Sequence, residues 1–410
     1  MVLLLAACGP YAAWPEPTDA FPYVFTPVTD LEPYEEVRWE TETWDTTDPV
    51  MTGLYIQKSF YHRPGAPIEA LEHFDAMRPT LPPLGEGLQL AFVGDIMHID
   101  QHSWATYTEP SHALLEHADL RIGNLETPTS VDHSTVPRAL GLYAFNAPPE
   151  MLDGLPVDVL QLTNNHSLDA DDLGLENTVA AVQQRGIVPT GVDAQATVDV
   201  SGTRVAFLAY TWGLNDGRRS SVHELHIVPF GHLGEDIPLD LVRTQISEAR
   251  DDAGLVVVML HWGYEYEYYP DPHFMQLARE IVAAGADLVV GQGPHVAQPP
   301  ELCTVNQPDH VPGIGTCSVQ TADGVPRTAA VLYSLGNFGT DMLTIPTQVG
   351  LVATVSLDSA GVTGLAWEAV ASVKVGAEPL VVPLATLLDD PLYAEEDARL
   401  RAHLGSHWIR

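Results

Sequence analysis

Residues 255–295 read LVVVMLHWGYEYEYYPDPHFMQLAREIVAAGADLVVGQGPH. Leu255–Leu260 is a near-continuous apolar run, the pattern of a strand in a sheet covered on both faces. Pro272 near its start and Gly285 behind it bracket a helix over Pro272–Ala284. Asp287–Val290 is a second apolar strand. Strand, helix and strand in succession predict an α/β fold. Both strands run into polar residues that carry chemistry: His261, Trp262, Gly263 and Glu265 after the first, Gln292, Gly293, Pro294 and His295 after the second.

The same punctuation recurs along the chain. GDIM (Gly94 to Met97) follows LQLAFV, GNLE (Gly123 to Glu126) follows DLRI, TNNH (Thr163 to His166) follows VDVLQL, and YSLGNF (Tyr333 to Phe338) follows AAVLY. Strands are expected at Leu88–Val93, Asp119–Ile122, Val157–Leu162, Val205–Tyr210 and Ala330–Tyr333. An antiparallel pair, Val349–Leu357 with Val362–Ala371, is expected to turn at Gly361. Helices are expected at Pro110–Ala118, Asp169–Arg185, Leu239–Asp252 and Pro391–Leu404. In open α/β sheets, ligands collect outside the carboxyl ends of the strands. A sheet that delivers Asp, Glu, Asn and His to one edge can build a metal site.

Each of these residues has a chemical use there. Asp95 and Glu126 are hard carboxylate ligands. Asn165 offers a neutral oxygen beside His166, which can protonate a leaving group. His261 and His295 supply imidazoles. Asn124, Trp262 and Glu265 flank these positions as walls. Two carboxylates, two imidazoles and an amide suit Mn, Fe or Zn better than Ca or Mg.

The chain has 410 residues, of which 45% are hydrophobic, enough for a sizeable core. Its 18 basic and 55 acidic residues give a net charge of −37, and Lys58 and Lys374 are its only lysines. Nucleic acid is therefore excluded as a partner on electrostatic grounds. The charge reads as a solubilising surface suited to saline surroundings, or as a means of repelling or attracting a charged polymer.

Residues 1–8 end in Leu5-Ala6-Ala7-Cys8, which resembles the lipidation signal of bacterial lipoproteins. This predicts an exported, membrane-anchored protein at the periplasmic face or the cell surface, lipidated at Cys8. An incidental apolar start is the alternative, because the apolar stretch is only about half a normal signal core and no Lys or Arg precedes it. Residues 9–87 are expected to form an acidic, Pro-rich arm, with a short helix at Ile68 to Met77. Residues 88–375 form the main domain, and residues 376–410 a tail with one helix. Cys303 and Cys317 flank a loop rich in turn residues. In an exported protein such a pair favours a disulfide over free thiols.

Together, GDIM, GNLE, NNH, HWG, GPHV and YSLGNF resemble the CapA family, named for a poly-γ-glutamate capsule synthesis protein. That family is similar to the calcineurin-like metallophosphoesterases. The likeness runs from Gln89 to Val373. It implies a four-layer α-β-β-α sandwich of two mixed sheets. It also implies that Asp95, Glu126, Asn165, His261 and His295 hold one or two divalent ions, in a two-metal centre about 3.5–4 Å apart. His166 matches the general acid, and Gly336 and Asn337 match a closing wall. Two departures stand out. Gln292 and Gly293 occupy positions where the family often has His. Met97 stands where the ordinary metallophosphoesterase motif has His, and His98 is one place off.

The resemblance implies a metal-dependent hydrolase acting on a phosphorylated substrate or an anionic, peptide-like polymer. Glu126 would bridge the ions, and capsule-synthesis membrane proteins would be partners. The alternative is a non-hydrolytic component that binds or tethers poly-γ-glutamate in an assembly complex. Proton abstraction at a peptide α-carbon is a third reading.

Overall fold

A computed structural model describes residues 32–34, 65–77, 82–97, 106–131, 136–137, 143–215, 220–228, 239–342, 344–375 and 378–405. Cys8, His98 and most of the acidic arm lie outside the described residues.

The strands of the main sheet, in chain order, are β1 (Leu88–Ile96), β2 (Leu120–Leu125), β3 (Val159–Gln161), β4 (Val188–Thr190), β5 (Ala196–Val200), β6 (Thr203–Thr211), β7 (Leu255–His261), β8 (Leu288–Gln292), β9 (Glu301–Val305), β10 (Cys317–Val319), β11 (Arg327–Leu332), β12 (Asn337–Gly339), β13 (Val349–Asp358), β14 (Gly361–Val375) and β15 (Glu378–Pro383). The hydrogen-bonded path runs β4-β3-β2-β1-β13-β14-β11-β8-β7-β6-β5, with β9 on β11, β10 on β9, β12 on β1 and β15 on β14. The fold is mixed α/β on one large mixed sheet. Strands β1 to β4 pair in parallel, as do β6, β7, β8 and β11. The path narrows between β14 and β11, where one residue pair, Thr328 with Gly361, provides the register.

Side-chain alternation along β1 explains how the sheet is covered. Leu90 and Phe92 join a core that also holds Phe207, Val257 and Val289. Ala91 and Val93 point the other way, into a second core with Leu160, Leu175 and Val182. All seven residues of β7 are buried, as its unbroken apolar run requires.

Helices α1 (Ile68–Met77), α2 (Asp171–Gln184), α3 (Asp240–Asp252), α4 (Pro272–Ala284) and α5 (Pro391–Leu404) pack around this sheet. Asp271 caps α4 by accepting from His273 N, and Gly285 closes it with φ +126°. Between β1 and β2 the chain makes a 3-10 turn at Glu109–Leu114, where a longer helix was expected. Helix α2 begins at Asp171, later than expected: residues 165–170 form turns, and the left-handed φ of +56° at Asp171 separates them from the helix.

Helix α1 falls within the interval read as an arm, yet it packs on the main core. Phe74 is buried, with its ring 5.9 Å from Tyr333 and 6.1 Å from Tyr269. His73 Nε2 lies 2.6 Å from Glu301 Oε1. Burial alone would raise the Glu301 pKa, but His73 and Arg279 together hold it below the usual range. Strand β15 pairs with β14, and Leu400 and Leu404 of α5 are in the core, so residues read as a tail are packed as well. Phe74→Ala is expected to lower stability by about 3–5 kcal/mol, the usual cost of emptying a buried aromatic site. Chemical denaturation monitored by fluorescence would measure this, and an unchanged midpoint would show that α1 is not part of the cooperative unit.

Candidate metal centre

Asp95 stands near the end of β1. A Cβ on the preceding Gly94 would lie 2.2 Å from Gly336 O, so only glycine lets the GDIM and LGNF segments close on each other. Asp95 N then donates to Gly336 O (2.9 Å), and Asn337 pairs with Asp95 in register. The Asp95 carboxylate accepts from Asn124 Nδ2 (2.7 Å) and from Gly293 N (3.1 Å). Asn124 Nδ2 also lies 3.3 Å from His261 Nδ1.

Glu126 follows β2, held by its N–H to Ile96 O (2.8 Å). Both of its carboxylate oxygens are buried without a hydrogen-bond partner. Oε1 is 3.5 Å from His261 Nε2, and Oε2 is 3.8 Å from His295 Nδ1. His295 Nδ1 is also 3.3 Å from Asp95 Oδ2 and 3.0 Å from Asn337 Oδ1. His295 takes φ +58°, a costly conformation for a non-glycine residue, where strain gathers at functional sites. One ligand atom each from Asp95, Glu126 and His295 lie within 4.8 Å of one another.

Charge in this cluster is unbalanced. Burial and the neighbouring Asp95 push the Glu126 carboxyl well above its usual range. Burial pulls His261 down to about 3, so its ring is neutral. His295 is driven up to about 10, because Glu126 and Asp95 outweigh burial. Against its own burial, Asp95 is held low by His295. Two buried carboxyl groups thus share one imidazolium, which holds Asp95 ionised while Glu126 is pushed toward its neutral form with no hydrogen-bond donor on either oxygen. Carboxylate and imidazole donors with unpartnered oxygens fit a divalent cation.

Asn165 and His166 enter from the β3 end. Asn164 ties this turn to the centre through Nδ2, which donates to Leu125 O (2.7 Å) and Asn124 Oδ1 (3.2 Å). His166 contributes to the depression of His261, so the two rings are electrostatic neighbours. His166 Nδ1 is 2.6 Å from Asp169 Oδ2, and Phe145 stacks on the ring at 4.1 Å. Asn215 Nδ2 lies over the ring, 3.2 Å from Nε2 and 3.3 Å from Nδ1.

Residues 89–342 match the family model of the bacterial capsule synthesis protein PGA_cap. The chain belongs to that family. It is 28% identical over 271 residues to the PGA biosynthesis protein CapA of Bacillus subtilis (strain 168), covering 61% of this chain and 63% of that one. It is 29% identical over 206 residues to a probable polyglutamine synthesis accessory protein of Mycobacterium tuberculosis, covering 46% of this chain and 54% of the relative. The match thus spans less than two thirds of either relative's length. A crystal structure of a novel phosphatase from Mycoplasma pneumoniae is also similar, with 12% identity and a TM-score of 0.41, over 76% of this chain and 97% of that one. Among the described residues, no helix is long and apolar enough to cross a membrane.

The departures of this PGA_cap chain have structural counterparts. Gly293 adopts φ +111°, where a Cβ would sit 2.8 Å from Trp262 O and 3.3 Å from His261 Nε2. Gln292 Nε2 donates to Val93 O (2.9 Å). Met97 is buried, its sulfur accepting from Thr340 Oγ1. Trp262 is turned into the core and donates to Tyr333 O (3.2 Å). Glu265 has one buried oxygen without a hydrogen-bond partner, and its charge adds to the upward shifts of Glu126 and His295. Cys303 and Cys317 are joined by a disulfide between the paired strands β9 and β10.

Asp169, Asn215 and Phe145 were not found from the sequence. Asp169 could have been, since it stands three residues after His166, but its place at a helix start concealed it. Asn215 and Phe145 carry no motif.

Proposed function

We propose that this PGA_cap protein is a metal-dependent hydrolase of envelope polymer synthesis, cleaving a phosphodiester or a γ-glutamyl amide. The observation that carries this reading is Glu126, whose two buried, unpartnered oxygens stand between His261 and His295 beside Asp95. Asp95, Glu126, His261, His295 and the Asn165 oxygen would hold one or two ions of Mn, Fe or Zn. Such an ion would polarise a substrate oxygen and lower the pKa of a bound water.

The remaining steps belong to the chain. Asp169 is a carboxylate and can only accept, so His166 Nδ1 carries the hydrogen between them. The proton given to a leaving group therefore passes through Nε2. Phe145 covers one face of the ring and restrains it. Asn337 anchors His295, donating in turn to Thr347 O (2.7 Å).

The wider picture follows from the family. Residues 88–375 carry the site, with α1 and residues 378–405 packed on them. The sheet is proposed to fold back at the narrow β14–β11 junction into two facing halves, giving four layers. Support comes from the shared core of Leu90 and Phe92 with Phe207 and Val257. The capsule and PGA biosynthesis names of the relatives support a proposed location in the cell envelope, and an anchor at Cys8 is part of that proposal.

Gly293 favours a second reading, in which the same site binds and tethers a polymer without cleaving it. The test is metal analysis of the full chain, followed by turnover of a bis-aryl phosphodiester and of γ-glutamyl oligomers. About one or two ions per chain and turnover of one substrate are expected. Bound metal with no turnover of either would move the conclusion to the tethering reading, and protein that takes up no divalent ion would sink both metal-based readings.

A further inference from the structure

Beyond the residues assigned so far, one buried side chain joins the two halves of the site. We propose that Asn215 is a positioning residue that orients both the Asn165 amide and the His166 imidazole. The proposal builds on the metal-dependent reading above.

The argument is one of hydrogen-bond direction. Asp169 accepts from His166 Nδ1, which holds the ring at that edge. Asn215 Nδ2 stands 3.2 Å from Nε2 and 3.3 Å from Nδ1, so it lies over the face of the ring and directs its N–H at the ring's π electrons. That leaves Asn215 Oδ1 as an acceptor, and it receives Asn165 Nδ2 at 3.0 Å. Asn165 Oδ1 is then turned away from the chain of donors, buried and without a partner. The order Asn165, Asn215, His166, Asp169 therefore runs in one direction. Turning the Asn215 amide over would set its Oδ1 against the π face of the ring and its N–H against the Asn165 N–H.

Asn215 is fixed for this task. It is 7% exposed, and its backbone N–H donates to Asn165 O (2.9 Å). The side chain and the main chain of one residue thus both hold Asn165. The consequence is that Asn165 presents an oxygen, not an N–H, to a divalent cation. The same amide rests on the face of the His166 ring and restrains its tilt.

Two variants separate the limbs. Asn215→Asp retains an acceptor for Asn165 Nδ2 but puts no N–H over the His166 ring. Asn215→Leu, of similar size, has neither. Metal-stripped full chain would be titrated with Mn²⁺ by calorimetry, and the His166 ring read by ¹⁵N NMR without metal. Asn215→Leu is expected to weaken Mn²⁺ binding by about tenfold or more, the usual effect of losing a residue that orients a ligand. Asn215→Asp is expected to bind Mn²⁺ at least as tightly as wild type. Both should move the His166 Nε2 resonance. Equal loss of Mn²⁺ affinity in the two variants would overturn the orientation of Asn165. An unmoved Nε2 resonance in both would overturn the link to His166. If the wild type takes up no Mn²⁺, the metal reading fails, while the NMR measurement still decides the contact with His166.

Discussion

Glu126→Gln is expected to abolish tight divalent-ion binding while making the metal-free protein more stable. The two effects have one cause. The carboxylate is buried with no donor on either oxygen, beside Asp95, which adds like charge. A buried polar group without a partner costs about 1–3 kcal/mol, more when charged. Gln keeps the shape and leaves an oxygen facing His261, so a gain of about 1–3 kcal/mol in EDTA is expected. Ion affinity should fall by more than about 100-fold, since a ligand is lost and not merely its support. Thermal melts with and without Mn²⁺ check both signs: Mn²⁺ should raise the Tm of wild type and leave the variant unmoved. A less stable variant in EDTA would mean that Glu126 is satisfied by the fold itself and has no need of a cation.

His166→Ala should leave Mn²⁺ affinity within a few-fold and lower turnover by about 10²–10⁴, the usual contribution of a positioned acid or base. Asp169→Asn should lower turnover too, because an amide can donate to Nδ1 and so favour the opposite tautomer. Its binding of Mn²⁺ should remain. The measurement is kcat/KM on whichever substrate the wild type cleaves. Full activity in His166→Ala would remove His166 from proton transfer.

Much of this site was legible because strand ends are legible. An apolar run that stops at a polar residue marks a carboxyl edge, and Asp95, Glu126, His261 and His295 all stand at such stops. The helix after His295's partner strand could be read just as directly from Pro272 and Gly285. Helix α1 was visible as a helix but not as a piece of the core, since the contacts of His73 and Phe74 are with Glu301 and Tyr333, far along the chain. Trp262 looked like a site wall beside His261. Its indole turns inward because Tyr333 O offers an acceptor that no local pattern announces.

The amino-acid sequence by itself determined the α/β class, the family, and which side chains arrive at the sheet edge, because strand period and turn residues are local properties. Only the tertiary structure decided which of them face one another. Glu126 lacks a partner because of where His261 and His295 stop, and Asn165 turns its oxygen outward because Asn215, from a distant loop, takes its N–H. Hydrogen-bond direction and burial are relations between segments, and they exist only once the strands are brought together.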